Sequence, residues 1–550
     1  MPATRVRQEM AAAGLAALGR LRGGLPRPRH RLVCHEADMP VPMDDGVTLL
    51  TDMWYPQDAT GGEPLVLVRS PYGRRGAISI LFGHPLAQQG FRVVSQSCRG
   101  TGSPSETFAE PFVNEMADGQ ATVRWLREQS WFPGRFATAG ASYLGFTQLA
   151  LAVDPPPELA ALVLQVTPTE LRSVVYPRGV LALETALGWA QGVASHDPLL
   201  QGLLHRKERA ARLVTAYGSA PLEEGYREAT GDPVGFFEGW LDHPDADDPF
   251  WKSTDLRSAL DRITVPTLIQ GGWYDLFVED SLAQYRRLSE RGVEVGLTIG
   301  PWSHGSAILN WPMLLAEMVE WLDFALRDGP SRRDPVNVKI NGGEWTRLPE
   351  WPPATQTTEW SLHAGGRLDP GPAVDGDPTV FDYDPLDPTP SVGGNYLGPG
   401  SGPRTSPTLD LRSDVATFTS EPLTTDMVVA GSPTAVMWVR ADQPSVDLFV
   451  RLCSVGADGT STNVCDQILR RESVNPTAIE RLEIPLLPTA NRFAAGQRLR
   501  LQVAGGAHPR FGRNPGTGES ISTAEKFAVA HIEVFHDRER PSHIRLPLLP

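Results

Sequence analysis

Arg135-Phe136-Ala137-Thr138-Ala139-Gly140-Ala141-Ser142-Tyr143-Leu144-Gly145, continuing as Phe146-Thr147-Gln148-Leu149-Ala150-Leu151-Ala152-Val153, is the stretch that decides the fold. Its first residues are short and apolar and follow Pro133-Gly134, the pattern of a buried strand. Its last residues run to Asp154-Pro155-Pro156-Pro157, the pattern of a helix stopped by prolines. A serine among glycines at a strand-to-helix turn is the setting of a nucleophile elbow. Such a turn leaves room only for small side chains near the serine. The helix N-terminus behind it brings N–H groups and partial positive charge to a developing oxyanion. The usual spacing is Gly-x-Ser-x-Gly. Here position +2 is Leu144 and the glycine comes one residue later, at Gly145. The six residues Gly140 to Gly145, taken alone, also suit an ordinary Gly/Ser turn.

With 550 residues the chain can build two or three domains and a large core. Its 41% hydrophobic content is ordinary for a water-soluble protein, and no apolar run is long enough to span a bilayer. A net charge of −15 disfavours nucleic acid or an anionic membrane as partner. Four cysteines make no disulfide framework, and no Cys/His spacing looks like a metal site. Cys34 and Cys98 are isolated. Cys453 and Cys465 can face each other across a hairpin or stand as free core thiols. The expected location is the cytoplasm. Residues 1–34, with arginines on both sides of Met10 to Leu18, read as an amphipathic helix or disordered arm rather than a secretory signal.

Outward from the elbow, the chain alternates strands and helices. Val41 to Tyr55 reads as a hairpin around Asp44-Asp45-Gly46. Pro64 to Arg69, Phe91 to Gln96 and Leu159 to Val166 read as buried strands, and Asp118 to Gln129 as a helix. Such a series implies a mostly parallel sheet covered on both faces, with its active site at the carboxyl ends of the strands. Tyr72, Arg99 and Ser142 all stand at that end. The strand pattern lapses from about Pro168 to Pro249, where Leu181 to Val193 and Leu199 to Tyr217 read as cap helices. It resumes with Val265 to Gln270 before Gly271-Gly272-Trp273-Tyr274-Asp275, and with Val293 to Ile299 before Gly300-Pro301-Trp302-Ser303-His304. The expected organisation is an α/β-hydrolase domain at 35–167 and 258–330, a helical cap at 168–257 and an all-β jelly-roll domain at 331–550. Gly398 to Pro407 reads as a mobile loop.

Ser142, Asp275 and His304 thus stand just past strands of one sheet, in the chain order that α/β-hydrolases use. A serine hydroxyl needs an imidazole to take its proton. The imidazole needs a carboxylate to fix its tautomer and stabilise its cation. Glu279 and Asp280 compete for the carboxylate role but fall further from the strand end. No metal or cofactor is required by this chemistry.

These residues resemble the cocaine-esterase and X-prolyl dipeptidyl-peptidase family of serine hydrolases, over roughly residues 35 to 550. The resemblance rests on Ser70-Pro71-Tyr72, Cys98-Arg99-Gly100, Asp118-Gly119, Trp131 and Gly140 to Gly145. It continues through Gly272 to Asp275, Gly300 to His304, Asp382 to Gly394 and Pro509-Arg510-Phe511-Gly512-Arg513-Asn514. It implies Ser142 as nucleophile, His304 as general base and acid, Asp275 as its orienter, and an oxyanion hole of the Tyr143 N–H and the Tyr72 hydroxyl. Read without the family, Tyr72 is a plain turn tyrosine.

Two departures qualify the resemblance. Ser97 stands where the family often has Asp, which questions the network behind Arg99. Leu276, Phe277 and Val278 stand where amino-ester hydrolases carry carboxylates for the substrate ammonium. That points to an apolar or aromatic acyl group. Trp189 lines the pocket or is plain cap core. The expected activity is hydrolysis of a carboxylic ester or reactive amide through an acyl-enzyme. One alternative is an X-Pro dipeptidyl peptidase with an anionic anchor such as Glu184. Another, not an enzyme, is a carbohydrate-binding protein on an inactive scaffold. The expected partners are a small ester, amide or short peptide, with no nucleic acid or membrane, and a homodimer is left open.

Overall fold

In the computed structural model, which describes residues 26–76, 79–102, 110–194, 206–231, 234–329 and 336–550, two sheets organise the chain. The arm expected before residue 26 and the start of the helix expected from Leu199 lie outside the described residues. The first sheet has ten strands: β1 (Val33–Pro42), β2 (Thr48–Pro56), β3 (Leu65–Ser70), β4 (Arg92–Ser97), β5 (Phe136–Ala141), β6 (Leu159–Gln165), β7 (Thr267–Tyr274), β8 (Val295–Ser303), β9 (Val336–Lys339) and β10 (Trp345–Leu348). Their order is β1-β2-β4-β3-β5-β6-β7-β8-β9-β10. From β4 to β9 every pair is parallel, while the β1–β2 hairpin and β10 add antiparallel edges.

The continuous apolar runs of the inner strands are explained by burial on both faces. In β3, Leu65 and Leu67 pack with Val123 and Leu126 of helix α1 (Glu115–Arg127). Val66 and Val68 point the other way, onto Leu315, Met318 and Leu322 of the closing helix (Trp311–Arg327). Helix α2 (Tyr143–Ala152) follows β5 directly and is buried all round. Helix α3 (Leu183–Ala194) belongs to a cap built between β6 and β7, with further helices at Arg206–Tyr217, Leu222–Thr230 and Gly235–Asp242. Helix α4 (Val278–Glu290) returns the chain from β7 to β8.

Past Gln356 the chain is all-β, a hydrogen-bonded array of 13 strands. Ser445–Val455 and Ser461–Glu472 form its long hairpin, with a bulge at Leu452/Cys453. Cys453 and Cys465 lie on these facing strands as free thiols, both pushed up by burial.

The sheet differs from the sequence reading at one boundary. The α/β sheet does not end at 330. Strand β9 pairs Val336 with Leu297 of β8, and β10 pairs back on β9 as far as Leu348. Four-residue strands among prolines and glycines carry too little alternation to be read as part of the preceding sheet. The loop at 398–407 is irregular, but its middle is tied to the preceding chain by mutual backbone bonds between Gly394 and Gly402, both 2.9 Å.

Gly272 lets β7 and β8 lie side by side, and Gly300 makes room for a side chain of its own strand. A Cβ on Gly272 would stand 2.2 Å from the Trp302 carbonyl oxygen, and one on Gly300 would stand 1.9 Å from the Trp302 ring. Beyond that point Tyr274 pairs with Ser303. Gly272→Ala is expected to cost about 3 kcal/mol or more, because the obstructing atom is backbone and cannot rotate away. Urea denaturation against Gly62→Ala, whose Cβ meets nothing within 4 Å, measures this; equal stability of the two variants would contradict the packing.

Candidate active site

The elbow is held by contacts on every side. Ser142 adopts φ 60° and ψ −123°, a strained region for a residue with a side chain. Its N–H donates to the Gln165 carbonyl at 2.8 Å, fixing it to β6. Its own carbonyl accepts from the N–H groups of Gly145 and Phe146 at 2.8 and 3.1 Å. A Cβ on Gly140 would stand 2.4 Å from the Leu144 Cβ, and one on Gly145 would stand 1.8 Å from the Thr167 Oγ1. The glycine at +3 is thereby explained. Leu144 points down into the core with Val66 and Val163, so position +2 has room for it, and Gly145 faces the chain beyond β6. Tyr143 opens α2, so its N–H lies at the positive end of the helix.

Asp275 and His304 are brought together by strand register. They are the residues after the Tyr274–Ser303 pair, and His304 Nδ1 lies 2.7 Å from Asp275 Oδ2. Asp275 is 0% exposed, and its other oxygen accepts the Phe277 N–H at 2.7 Å. A carboxylate facing Nδ1 makes that nitrogen the N–H donor and leaves Nε2 as the base. Glu279 pairs instead with Arg178, and Asp280 accepts the Thr169 N–H, so neither competes for His304.

Ser142, His304, Tyr72 and Tyr143 line one pocket of about 520 Å³. Tyr72 is 44% exposed as a residue, yet its hydroxyl is turned inward. Burial of the hydroxyl raises its pKa, opposed by hydrogen bonds with Trp189 and Ser142, so the phenol stays neutral at pH 7. The expected pocket residues Trp189 and Phe277 both line it. Phe277 stands edge-on to the His304 ring at 5.4 Å, and Trp189 stacks between Tyr143 and Trp240. Val278 does not line the pocket; it is buried in the core because it begins α4. Apart from Thr185 the rest of the wall is apolar, including Phe112, Leu171, Val175, Trp240, Leu276 and, from the β domain, Leu397. Among the described residues the lining holds no carboxylate. A larger cavity of about 1400 Å³ lies beyond the partition of Val174, Thr185, Leu276 and Phe277, but neither Ser142 nor His304 reaches it.

Glu184 does not line the pocket that holds Ser142. Burial pushes its carboxyl up to about 7, with Arg510 opposing.

Three supports of the site are not legible from motifs. Asp52, fully buried on β2, accepts from the Asp38 N–H (3.0 Å), Arg74 Nε (2.8 Å), Arg75 Nε (3.0 Å) and His35 Nε2 (2.8 Å). Burial would raise its carboxyl, but the bonds from His35, Arg75 and Asp38 outweigh it and hold it well below the usual carboxylate range. Because Arg74 and Arg75 stand two and three residues after Tyr72, this carboxylate fastens the Tyr72 turn. Asn395, from the β domain, donates to the carbonyls of Trp273 and Asp275, both at 2.8 Å, and clamps the loop that carries the acid. Tyr143 is fixed through its phenol, which donates to Glu115 (2.8 Å) and accepts the Phe112 N–H (2.7 Å). Glu115 is paired with the buried Arg69. A buried acid in an apolar strand was the one available signal for Asp52. Asn395 and Glu115 carried none. The doubt about Arg99 is also resolved. Arg99 makes two bonds to Asp118 (2.6 and 3.2 Å) and one to Asp45, while Ser97 accepts from the Arg74 backbone.

Comparison with known proteins gives a consistent picture. Residues 45–306 match the X-Pro dipeptidyl-peptidase (S15 family) profile, and residues 329–545 match the X-Pro dipeptidyl-peptidase C-terminal non-catalytic domain. The chain is 31% identical to a cocaine esterase from Rhodococcus sp. (strain MB1 Bresler), over 92% of this chain and 97% of that protein. Among solved structures it is similar in fold to an aminopeptidase from a marine-sediment Thaumarchaeota archaeon, at 21% identity, a TM-score of 0.79 and coverage of 96% and 98%. An α-amino acid ester hydrolase matches with the same values.

The raised Glu184 carboxyl has a consequence for stability. Its folded pKa of about 7 lies above the ordinary value of 4.5, so ionising it as pH rises through that window destabilises the fold. Glu184→Gln is expected to be more stable than wild type by about 1–3 kcal/mol near pH 8 and no more stable near pH 4.5. Urea denaturation at the two pH values measures this, and a pH-independent difference would contradict it.

Proposed function

The chain belongs to the cocaine-esterase and X-Pro dipeptidyl-peptidase (S15) family of serine hydrolases, and we propose that within it this protein cleaves carboxylic esters of apolar or aromatic acids through an acyl-enzyme on Ser142. The observation that carries the assignment of the triad is the 2.7 Å contact between His304 Nδ1 and Asp275 Oδ2, in a pocket that also holds Ser142.

In this mechanism His304 Nε2 takes the Ser142 proton as Oγ attacks the acyl carbonyl. Asp275 holds the imidazole tautomer and stabilises its cation. The oxyanion forms between the Tyr143 N–H and the Tyr72 hydroxyl. A neutral phenol suits this position, because it donates one strong hydrogen bond without bringing charge. His304 returns its proton to the leaving alcohol, then activates the water that releases the acid.

The lining supports an apolar acyl group. Aromatic and aliphatic side chains form most of the wall, and the residues after Asp275 that face the pocket are Leu276 and Phe277. A second reading, removal of X-Pro dipeptides, is favoured by the family profile. It requires an anion for the peptide ammonium, and the pocket lining supplies none.

Steady-state kinetics on an aryl benzoate and on an X-Pro anilide separate the two. The expected result is a kcat/KM preference for the ester of about 100-fold or more, since an ammonium group left without a partner in an apolar pocket is strongly disfavoured. Equal or better cleavage of the X-Pro anilide would overturn the ester assignment.

A further inference from the structure

Trp189 reaches across from the cap to the oxyanion hole. Its indole Nε1 lies 3.2 Å from the Tyr72 hydroxyl oxygen, linking α3 to the turn after β3. The direction of this bond is unambiguous, because an indole N–H can only donate. The Tyr72 oxygen is therefore the acceptor, and one of its lone pairs is committed. A phenol has a single proton on a freely rotating C–O bond. With Trp189 on one side, that proton is left for a partner on the side away from the cap, where Ser142 lines the same pocket. A phenol that accepts a hydrogen bond is also a stronger donor in the next one.

We infer that Trp189 is a positioning residue of the oxyanion hole: its indole N–H fixes and polarises the Tyr72 hydroxyl so that the proton meets the developing oxyanion. The inference rests on the assignment of Tyr72 to that hole. It gives the cap a part in the chemistry beyond walling the pocket. The indole is held for the task on several faces. It stacks on Tyr143 at 6.3 Å with planes 12° apart, on Trp240 at 5.9 Å, and meets Phe112 at 5.4 Å and Phe236 at 5.7 Å. Tyr143 is the residue that supplies the other donor of the hole. One rigid ring thus touches both arms.

A packing role alone would make different demands. It would need the ring's volume but not its N–H, and its loss would weaken substrate binding. The experiment is a double-mutant cycle of Trp189→Phe and Tyr72→Phe, with kcat and KM measured on an aryl benzoate and folding checked by circular dichroism. Benzothienylalanine placed at position 189, which keeps the indole shape and lacks the N–H, serves as a second variant should Trp189→Phe fail to fold. Both changes at 189 are expected to lower kcat about tenfold with KM held within about twofold, the loss of one hydrogen bond felt in the transition state. In the Tyr72→Phe background neither should lower kcat further. A wild-type kcat with benzothienylalanine, or an equal loss in both backgrounds, would overturn the role of Trp189. A wild-type kcat for Tyr72→Phe alone would overturn the oxyanion-hole assignment itself, a separate failure.

Discussion

The backbone of Ser142 is held at φ 60°, a conformation that costs a residue with a side chain about 1–3 kcal/mol and persists only where the surroundings over-determine it. Here the surroundings do. The bond to Gln165 fixes the serine to β6, α2 begins on its carbonyl, and Leu144 is locked into the core below. The rest of the site depends on this turn. It lifts the hydroxyl above the carboxyl edge of the sheet, and it places the first N–H of α2 beside it. Parallel strands then deliver the other groups to the same edge, Tyr72 after β3, Asp275 after β7 and His304 after β8.

The catalytic sheet does not finish the site alone. The cap contributes Trp189 and much of the apolar wall, and the β domain contributes Leu397 to the pocket and Asn395 to the Asp275 loop. Trp273 donates to the Lys339 carbonyl at 2.6 Å and packs on Trp351, so the end of β7 before Asp275 is fastened to the chain that leads into the β domain. The charged groups around the site act mainly as fixings. Asp52 holds the Tyr72 turn, and the Arg69–Glu115 pair holds the Tyr143 ring. Each is buried with its partners in place, the condition under which a buried charge can be tolerated.

Much of this was legible in the sequence, for identifiable reasons. Ser142, Asp275 and His304 announce themselves because each follows an apolar run bounded by glycines, and strand ends of a parallel sheet converge in space. The ten-strand sheet could be read as far as β8, since buried parallel strands are continuous apolar runs. Strands β9 and β10 could not, because four residues hold too little pattern. The displaced glycine at 145 looked like a flaw in the motif. Its reason lies in Thr167, 22 residues on in the sequence but directly across in space. Asn395 was out of reach for the same reason, and an acid within a strand only hinted at Asp52: their roles are set by partners that only the folded chain brings near.

The central claim is that the fold activates Ser142 as a nucleophile, and mass spectrometry of the intact protein after treatment with a fluorophosphonate tests it most directly. The account predicts one adduct per chain, located on Ser142 by peptide mapping and missing in Ser142→Ala. A folded wild-type protein that takes up no adduct, or takes it up equally in Ser142→Ala, would contradict it.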